Sequence, residues 1–271
     1  MKQFLLSEEL DADGTVHIDG NNYHYLVHVR RLAAGEFFTA RLPNGGETQV
    51  QIKTITHNVL TGKCIHDIDP KFIPQGHEGA KSAEGEKSAS IAPIILFQAL
   101  PKGDKMDLIA RQAAEGGITQ IVPFVSEFSV AKKIGAESQK FLRWEKIIKE
   151  ARQQSGSGIS TSLREPVTIN ELLYLWRELK ERGALGLLFH HQGLEQKSLH
   201  SYLYNKPEIV VLAVGPEGGF SDREVTLFLE NSFKPITIGD TILRTETAAL
   251  YCSAAIRILL LEKNTWELKQ A

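Results

Sequence analysis

Polar and apolar residues alternate over short stretches near the start of the chain. Thr15-Val16-His17-Ile18 and 47–55 alternate with period two, and 37–42 is a short apolar run, so each predicts a strand. Pro43-Asn44-Gly45-Gly46 lies between the last two and marks a hairpin. Residues 22–32 change to helical spacing, with Tyr25, Val29 and Leu32 on the expected face. A small β-barrel with one short helix fits this pattern.

From residue 91 onward the pattern changes. The stretch 91–100 is continuously apolar, as in a strand buried on both faces, 184–190 and 209–214 read the same way, and 118–125 reads as a further strand. Between them lie helical periods. The first is 104–115, with Met106, Ile109, Ala110 and Ala113 on one face and Gly116-Gly117 at its end. Ser138 can cap a second helix carrying Phe141, Trp144, Ile148 and Ala151, which runs out at Gly156 and Gly158. Thr168 with Glu171, and Ser221 with Glu224, have the spacing of capping boxes. A short strand at 235–239 and a long helix at 247–262 complete the series. Alternation of this kind predicts an α/β fold with a parallel sheet covered on both faces, whose ligands sit beyond the carboxyl ends of the strands. The stretch 71–90 is poor in large apolar residues and rich in Gly, Ser, Ala, Lys and Glu, so a flexible linker is expected there. The expected organisation is a β-domain at 1–70, the linker 71–90, and the α/β domain 91–271.

Composition narrows the function without naming it. Hydrophobic residues make up 42% and charged residues 24% of the 271, enough for a full core. The two cysteines, Cys64 and Cys252, are far apart, which argues against a disulfide framework and suits a reducing compartment. Neither a signal-peptide pattern nor an apolar run of the ~18–20 residues that span a bilayer is present, so a cytoplasmic protein is expected. Net charge is −2, and residues 1–70 hold six Lys/Arg against nine Asp/Glu. Any contact with nucleic acid must therefore depend on local patches and not on a global field.

Two loops carry the candidate chemistry. Gly215-Pro216-Glu217-Gly218-Gly219 follows a predicted strand and precedes a capped helix, so its backbone can approach a flat ligand. Its spacing is neither that of a P-loop nor that of the dinucleotide fingerprint. After the strand ending at Ile238-Gly239 comes Leu243-Arg244-Thr245-Glu246-Thr247-Ala248, which crowds a cation, an anion and two hydroxyls at a helix start. Thr245 or Thr247 could cap that helix and Glu246 complement its dipole. Arg244 sits against the positive end of the dipole, which calls for a partner: Glu217, Glu246 or a substrate group.

These motifs together resemble the SPOUT superfamily of methyltransferases. More closely, the chain resembles the bacterial 16S ribosomal RNA uracil-N3 methyltransferases, the ribosomal RNA small subunit methyltransferase E family. Further matches are 22–35 (NYHYLVHVRRLAAG), Lys102-Gly103-Asp104-Lys105-Met106 leading through Glu115 to Ile121-Val122-Pro123, and Gln154-Ser155-Gly156. The resemblance implies an N-terminal PUA-like β-barrel and a C-terminal SPOUT α/β domain with a deep trefoil knot. It implies S-adenosyl-L-methionine held by three loops: Leu188, Phe189 and His190; then Gly215, Pro216, Glu217, Gly218 and Gly219; then Ile238, Gly239, Leu243, Thr245, Thr247 and Ala248. It also implies a homodimer. The last helix, apolar over more than one face, independently asks either for a second covering chain or for burial in a larger monomeric core.

Methylation of uracil N3 requires loss of the N3 proton and an unpaired or extruded base. Arg244 is the candidate for orienting the base or stabilising its anion, with Glu246 and Glu217 as candidate proton acceptors. Arg30, Arg31, Lys102 and Lys105 are candidates for phosphate contacts with 16S rRNA or the small ribosomal subunit. His24, His28, His190 and His191 show no metal-ligand pattern, and transfer from this cofactor needs no metal. The chain departs from the family pattern at Phe128, Ser157 and Thr241, where arginine is usual, and at Gln153, where glutamate is usual. The rival readings are an RNA-binding ribosome-assembly factor of the same fold with lapsed activity, and a ribose 2'-O-methyltransferase.

Overall fold

Strands β1 (Phe4–Leu5), β2 (Thr15–Ile18), β3 (Phe37–Arg41), β4 (Glu47–Thr56) and β5 (Val59–Ile65) form one sheet in the order β1-β3-β4-β5-β2. The structure is a computed structural model that describes residues 4–6, 13–41, 47–65, 91–130, 138–191 and 194–265. The hairpin turn at 43–46 and the linker at 71–90 lie outside the described residues, but β3 and β4 pair antiparallel, as two arms of a hairpin must. Strand β5, which no local pattern announced, follows β4 through the two-residue turn His57-Asn58. Both turn residues have positive φ, 39° and 69°, as a tight hairpin turn of matching twist requires. Alternation then buries one side of the sheet: Val16, Ile18, Phe38, Ala40, Val50, Ile52, Leu60 and Cys64 share a core with Tyr23 and Leu26.

The helix expected over 22–32 takes another form. A short α1 (Gly20–Tyr23) passes directly into a π-helix, His24–Val29, in which the Arg30 N–H reaches back to the Tyr25 carbonyl at 2.9 Å. The wider turn rotates the inward face onto Tyr23 and Leu26, leaving Val29 60% exposed. Of the expected face, Tyr25 and Leu32 pack half-buried against this core, and Val29, placed there by α-helical spacing, is corrected to the outside.

The remaining strands are β6 (Ile94–Ala99), β7 (Gln120–Val125), β8 (Ser162–Leu163), β9 (Val167–Thr168), β10 (Ala184–Phe189), β11 (Ile209–Val214) and β12 (Lys234–Ile236). They form a parallel sheet ordered β12-β10-β11-β6-β7-β8, with β9 also on β7. The described residues separate into two compact units, one drawn from 1–85 and 153–160, the other from 86–152 and 161–271. Helices cover both faces of the parallel sheet. On one face α2 (Lys105–Glu115), α3 (Gln139–Ser155), α5 (Leu199–Leu203) and α7 (Thr245–Thr265) pack on Ile94, Leu96, Val210 and Leu212. On the other, α4 (Ile169–Glu181) and α6 (Asp222–Glu230) pack on Ile95, Phe97, Val211 and Ala213. Successive residues of one strand point to opposite faces, which is why β6 and β11 carry no polar side except Gln98.

The helix starts follow their caps. Thr168 and Glu171 close a capping box on α4, Ser221 and Glu224 close one on α6, and Ser138 Oγ accepts the Phe141 N–H at 3.2 Å on α3. Two boundaries move: β12 spans only Lys234–Ile236, and α7 begins at Thr245, two residues before the expected start. Strand β12 lies at the sheet edge beside β10, yet the chain returns from it to start α7 against β6 and the end of β11.

Candidate cofactor and substrate site

A cleft of about 230 Å³ opens beyond the carboxyl ends of β10 and β11. Phe189, His190 and His191 line it from the end of β10. Val214 and the loop Gly215, Pro216, Glu217, Gly218, Gly219 and Phe220 line it from β11. The third wall is Ile242, Leu243, Thr245 and Ala248 at the start of α7. Of the expected cofactor residues, Leu188, Ile238, Gly239 and Thr247 stand apart from this lining. Leu188 is buried between β11 and β12, Ile238 packs on the core, and Thr247 is exposed. His191, Val214, Phe220 and Ile242 line the cleft without having been singled out for it.

The tight loop needs its glycines for different reasons. A Cβ on Gly215 would come within 3.1–3.4 Å of the Gly219 backbone, so the two ends of the loop are pinched together. Gly219 has φ of 72°, and its N–H donates to the Pro216 carbonyl at 2.9 Å, closing the turn.

The loop is fastened to α7 by a polar chain that also reaches the end of β6. Thr245 Oγ1 donates to the Gly215 carbonyl at 2.6 Å and accepts from Gln98 Nε2 at 3.0 Å, while that amide also donates to the Ala99 carbonyl at 2.9 Å. All of this is buried, so breaking it would leave groups unpaired at a cost of ~1–3 kcal/mol each. Thr245 thus joins two loops and does not cap its helix, as the sequence allowed. Gln98, at the end of β6, carried no signal for this role because its partner is 147 residues away.

Lys105, expected to meet RNA phosphate, is engaged inside the unit. Its ammonium donates to Glu217 Oε1 at 2.6 Å and stands 4.0 Å from Glu246 Oε2. The Lys102 N–H also donates to Glu217, at 3.0 and 3.2 Å to its two oxygens, while the Lys102 side chain is exposed. Partial burial pushes the Glu217 carboxyl up, but the Lys105 and Lys102 hydrogen bonds and the Lys105 charge outweigh it and hold the group below its ordinary range. Glu246 is mostly buried, and its Oε2 has no hydrogen-bond partner. Among the described residues Arg244 forms no ion pair with either carboxylate, and it is exposed between Leu243 and Thr245 of the cleft wall. Of the three partners open to Arg244, the two carboxylates are removed. Arg30 is half-buried and Arg31 exposed after the π-helix, with Arg31 held at φ of 56°.

Comparison with known proteins agrees with this geometry. An RNA methyltransferase domain family matches residues 87–257, and an RNA methyltransferase PUA domain matches residues 18–63. The chain is 30% identical to the ribosomal RNA small subunit methyltransferase E 2 of Borreliella burgdorferi, over 97% of this chain and 100% of that protein. It is 28% identical to the ribosomal RNA small subunit methyltransferase E of Synechocystis, over 95% of this chain and 78% of that one. A methyltransferase from Legionella pneumophila, solved in complex with the bound cofactor S-adenosylmethionine, superposes with a TM-score of 0.74 at 26% identity, covering 95% of this chain and 97% of its own.

Proposed function

Because the chain belongs to the ribosomal RNA small subunit methyltransferase E family of RNA methyltransferases, we propose that it methylates N3 of a specific uridine in 16S ribosomal RNA, using S-adenosyl-L-methionine. The single observation that carries the reading is the glycine cradle pinned by Thr245 beside an arginine that pairs with no carboxylate among the described residues. The residues fit the cofactor. The pinched turn at Gly215 and Gly219 lets backbone groups reach a flat nucleoside, and Leu243, Ala248 and Ile242 offer it an apolar wall. When bound, the cofactor supplies an electrophilic methyl group, so the protein must position the base and handle its proton.

Within this reading Arg244 orients the uracil and stabilises the anion left when N3 loses its proton. Glu246 is the better proton acceptor of the two carboxylates, because Glu217 is occupied by three donor contacts and its basicity is lowered. Residues 1–70 serve as the PUA-like RNA-binding barrel, with Arg30 and Arg31 on phosphate, and 71–90 join it to the methyltransferase domain of 91–271, where the chain's return from β12 forms the knot. Lys102, with its side chain free of the Glu217 contact, is the remaining basic candidate at the sheet edge. The enzyme acts as a cytoplasmic homodimer. Among the described residues no helix is long and apolar enough to cross a membrane.

The deciding experiment incubates the protein with tritiated cofactor and small subunits or rRNA from cells lacking its gene, then maps the modified nucleotide. Label on uridine N3 is expected. Tight RNA binding without transfer would point to an assembly factor, and label on a ribose to a 2'-O-methyltransferase. In the same assay Arg244→Ala should lower kcat by at least about a hundredfold, the scale of losing one charge-stabilising donor. Its cofactor affinity, read by calorimetry, should hold. Unchanged turnover would remove Arg244 from the mechanism.

A further inference from the structure

Phe128 lies in the turn that follows β7, between two buried serines. The turn is locked from several sides. Ser129 Oγ accepts the Ser126 N–H at 3.1 Å, and the Ser129 N–H returns to the Ser126 carbonyl at 3.0 Å. The buried carboxylate of Glu224 accepts from Ser126 Oγ at 3.2 Å and from the Glu127 N–H at 2.9 Å. Glu127 in turn accepts from Ser221 Oγ at 2.7 Å. This framework leaves the phenyl ring of Phe128 outside, 49% exposed.

Packing does not account for that ring. The phenylalanines of the neighbouring core, Phe97, Phe124, Phe220, Phe228 and Phe233, each contact at least one other ring of the group, and among the described residues Phe128 joins none of them. Its neighbour is the cofactor loop. A Cβ on Gly218 would come within 3.2, 3.4 and 3.5 Å of Phe128 Cβ, Cγ and Cδ2, so the root of the ring rests on the glycine that lines the cleft. A preorganised apolar plane is thereby held in solvent at the rim of the methyl-donor site. Covering it would recover free energy that folding leaves unused.

We propose that Phe128 is a stacking platform for an unpaired nucleobase of the RNA substrate. The proposal rests on the RNA-methylation reading above. A base whose N3 reacts must leave its pair, and unstacked RNA bases recover their lost stacking on aromatic side chains or on the planar guanidinium of arginine. Such stacking is tolerant of base identity, because every base has a π face. Phe128 accordingly contributes to holding the base near the cleft and not to choosing it.

The test is steady-state methylation of small subunits or 16S rRNA by the full-length protein, with cofactor affinity from calorimetry and the melting temperature as fold controls. Phe128→Ala should raise KM for RNA about tenfold or more, in line with loss of one stacked base, while cofactor affinity and melting temperature stay near wild type. Phe128→Leu, apolar but without a flat π face, should be as impaired as the alanine variant, whereas Phe128→Trp and Phe128→Arg should recover most of the loss. An unchanged KM for the alanine variant, or full recovery by leucine, overturns the proposal. So does a change in oligomeric state without a change in KM, which would make the ring a contact between copies of the chain. Failure of the underlying reading looks different: the wild-type protein itself would transfer no methyl to rRNA.

Discussion

Lys105 faces two carboxylates from different parts of the chain, and the charge arithmetic at that point makes a pH prediction. The Glu217 carboxyl is held below its ordinary value of 4.5, so its folded pKa lies beneath its unfolded one. Its contribution to stability is complete above about 4.5 and disappears as pH falls through the lowered folded value. Because Glu217 is a third exposed, the contribution is that of a screened pair, ~1 kcal/mol or less. Melting curves of wild type and Glu217→Gln should therefore differ by a small margin at neutral pH, and that margin should shrink steadily below pH 4.5. A margin that stays constant into the acid would show that the carboxylate charge contributes nothing. Single residues also mark the limit of what could be read in advance. The glycine loop and the Arg244 segment are contiguous, so their chemistry was legible as strings. Lys105 with Glu217, and Gln98 with Thr245, meet across 112 and 147 residues, and nothing local announces either pair.

At the scale of elements, legibility follows whether the signal is local. The capping boxes of α4 and α6 are made by residues three apart and were visible in the sequence. So were the apolar runs that became β6, β10 and β11, since a strand buried on both faces has no polar period to confuse. The π-helix was not, because the residues of the segment show no spacing that sets its wider turn apart from an α-helix. Strand β5 was missed because His57-Asn58 is an unusual pair for its tight turn. The two-residue strands β8 and β9, and the single turn of α5, are too short to show a period. Gly186 in β10 shows what an element demands of one position. A Cβ there would sit 2.9 Å from both Phe233 Cδ1 and Trp176 Cη2, and those rings are packed with centroids 4.4 Å apart. Both are buried, so neither can yield cheaply. Gly186→Ala should cost ~1–3 kcal/mol of stability, the usual penalty of overpacking, read as an earlier urea midpoint with an unchanged slope. A midpoint equal to wild type would mean that α4 and the Phe233 segment shift together at no cost.

For the molecule as a whole, the decisive feature is the outer side of α7. Ala248, Cys252, Ile256 and Leu260, four apart, form the stripe buried on the sheet and α2. A second stripe on the same helix faces away. There Leu250, Ile258 and Leu261 repeat at helical spacing, with Tyr251 beside them, and Tyr251 and Ile258 are 56% and 54% exposed. Sequence left open whether a larger core of the same chain would cover this face, and among the described residues Leu250, Tyr251 and Ile258 stay exposed. A helix with two apolar stripes, one of them left uncovered by the described residues, exposes a patch that monomers rarely tolerate. A second copy is the economical cover, because a stripe crossing its own image about a two-fold axis meets apolar residues along its whole length. Sedimentation of the wild-type protein should then give a dimer, and Ile258→Glu combined with Tyr251→Lys should give a folded monomer. Both substitutions lie outside the buried stripe, so the melting transition of that monomer should stay cooperative. A wild-type monomer at micromolar concentration would refute the dimer outright. A variant that stays dimeric would place the contact elsewhere. The outcome also bears on catalysis, since Thr245 and Glu246 begin the helix whose far face is at issue. If the monomer binds cofactor but turns over poorly, the pairing of chains completes the site and does more than bury its apolar back.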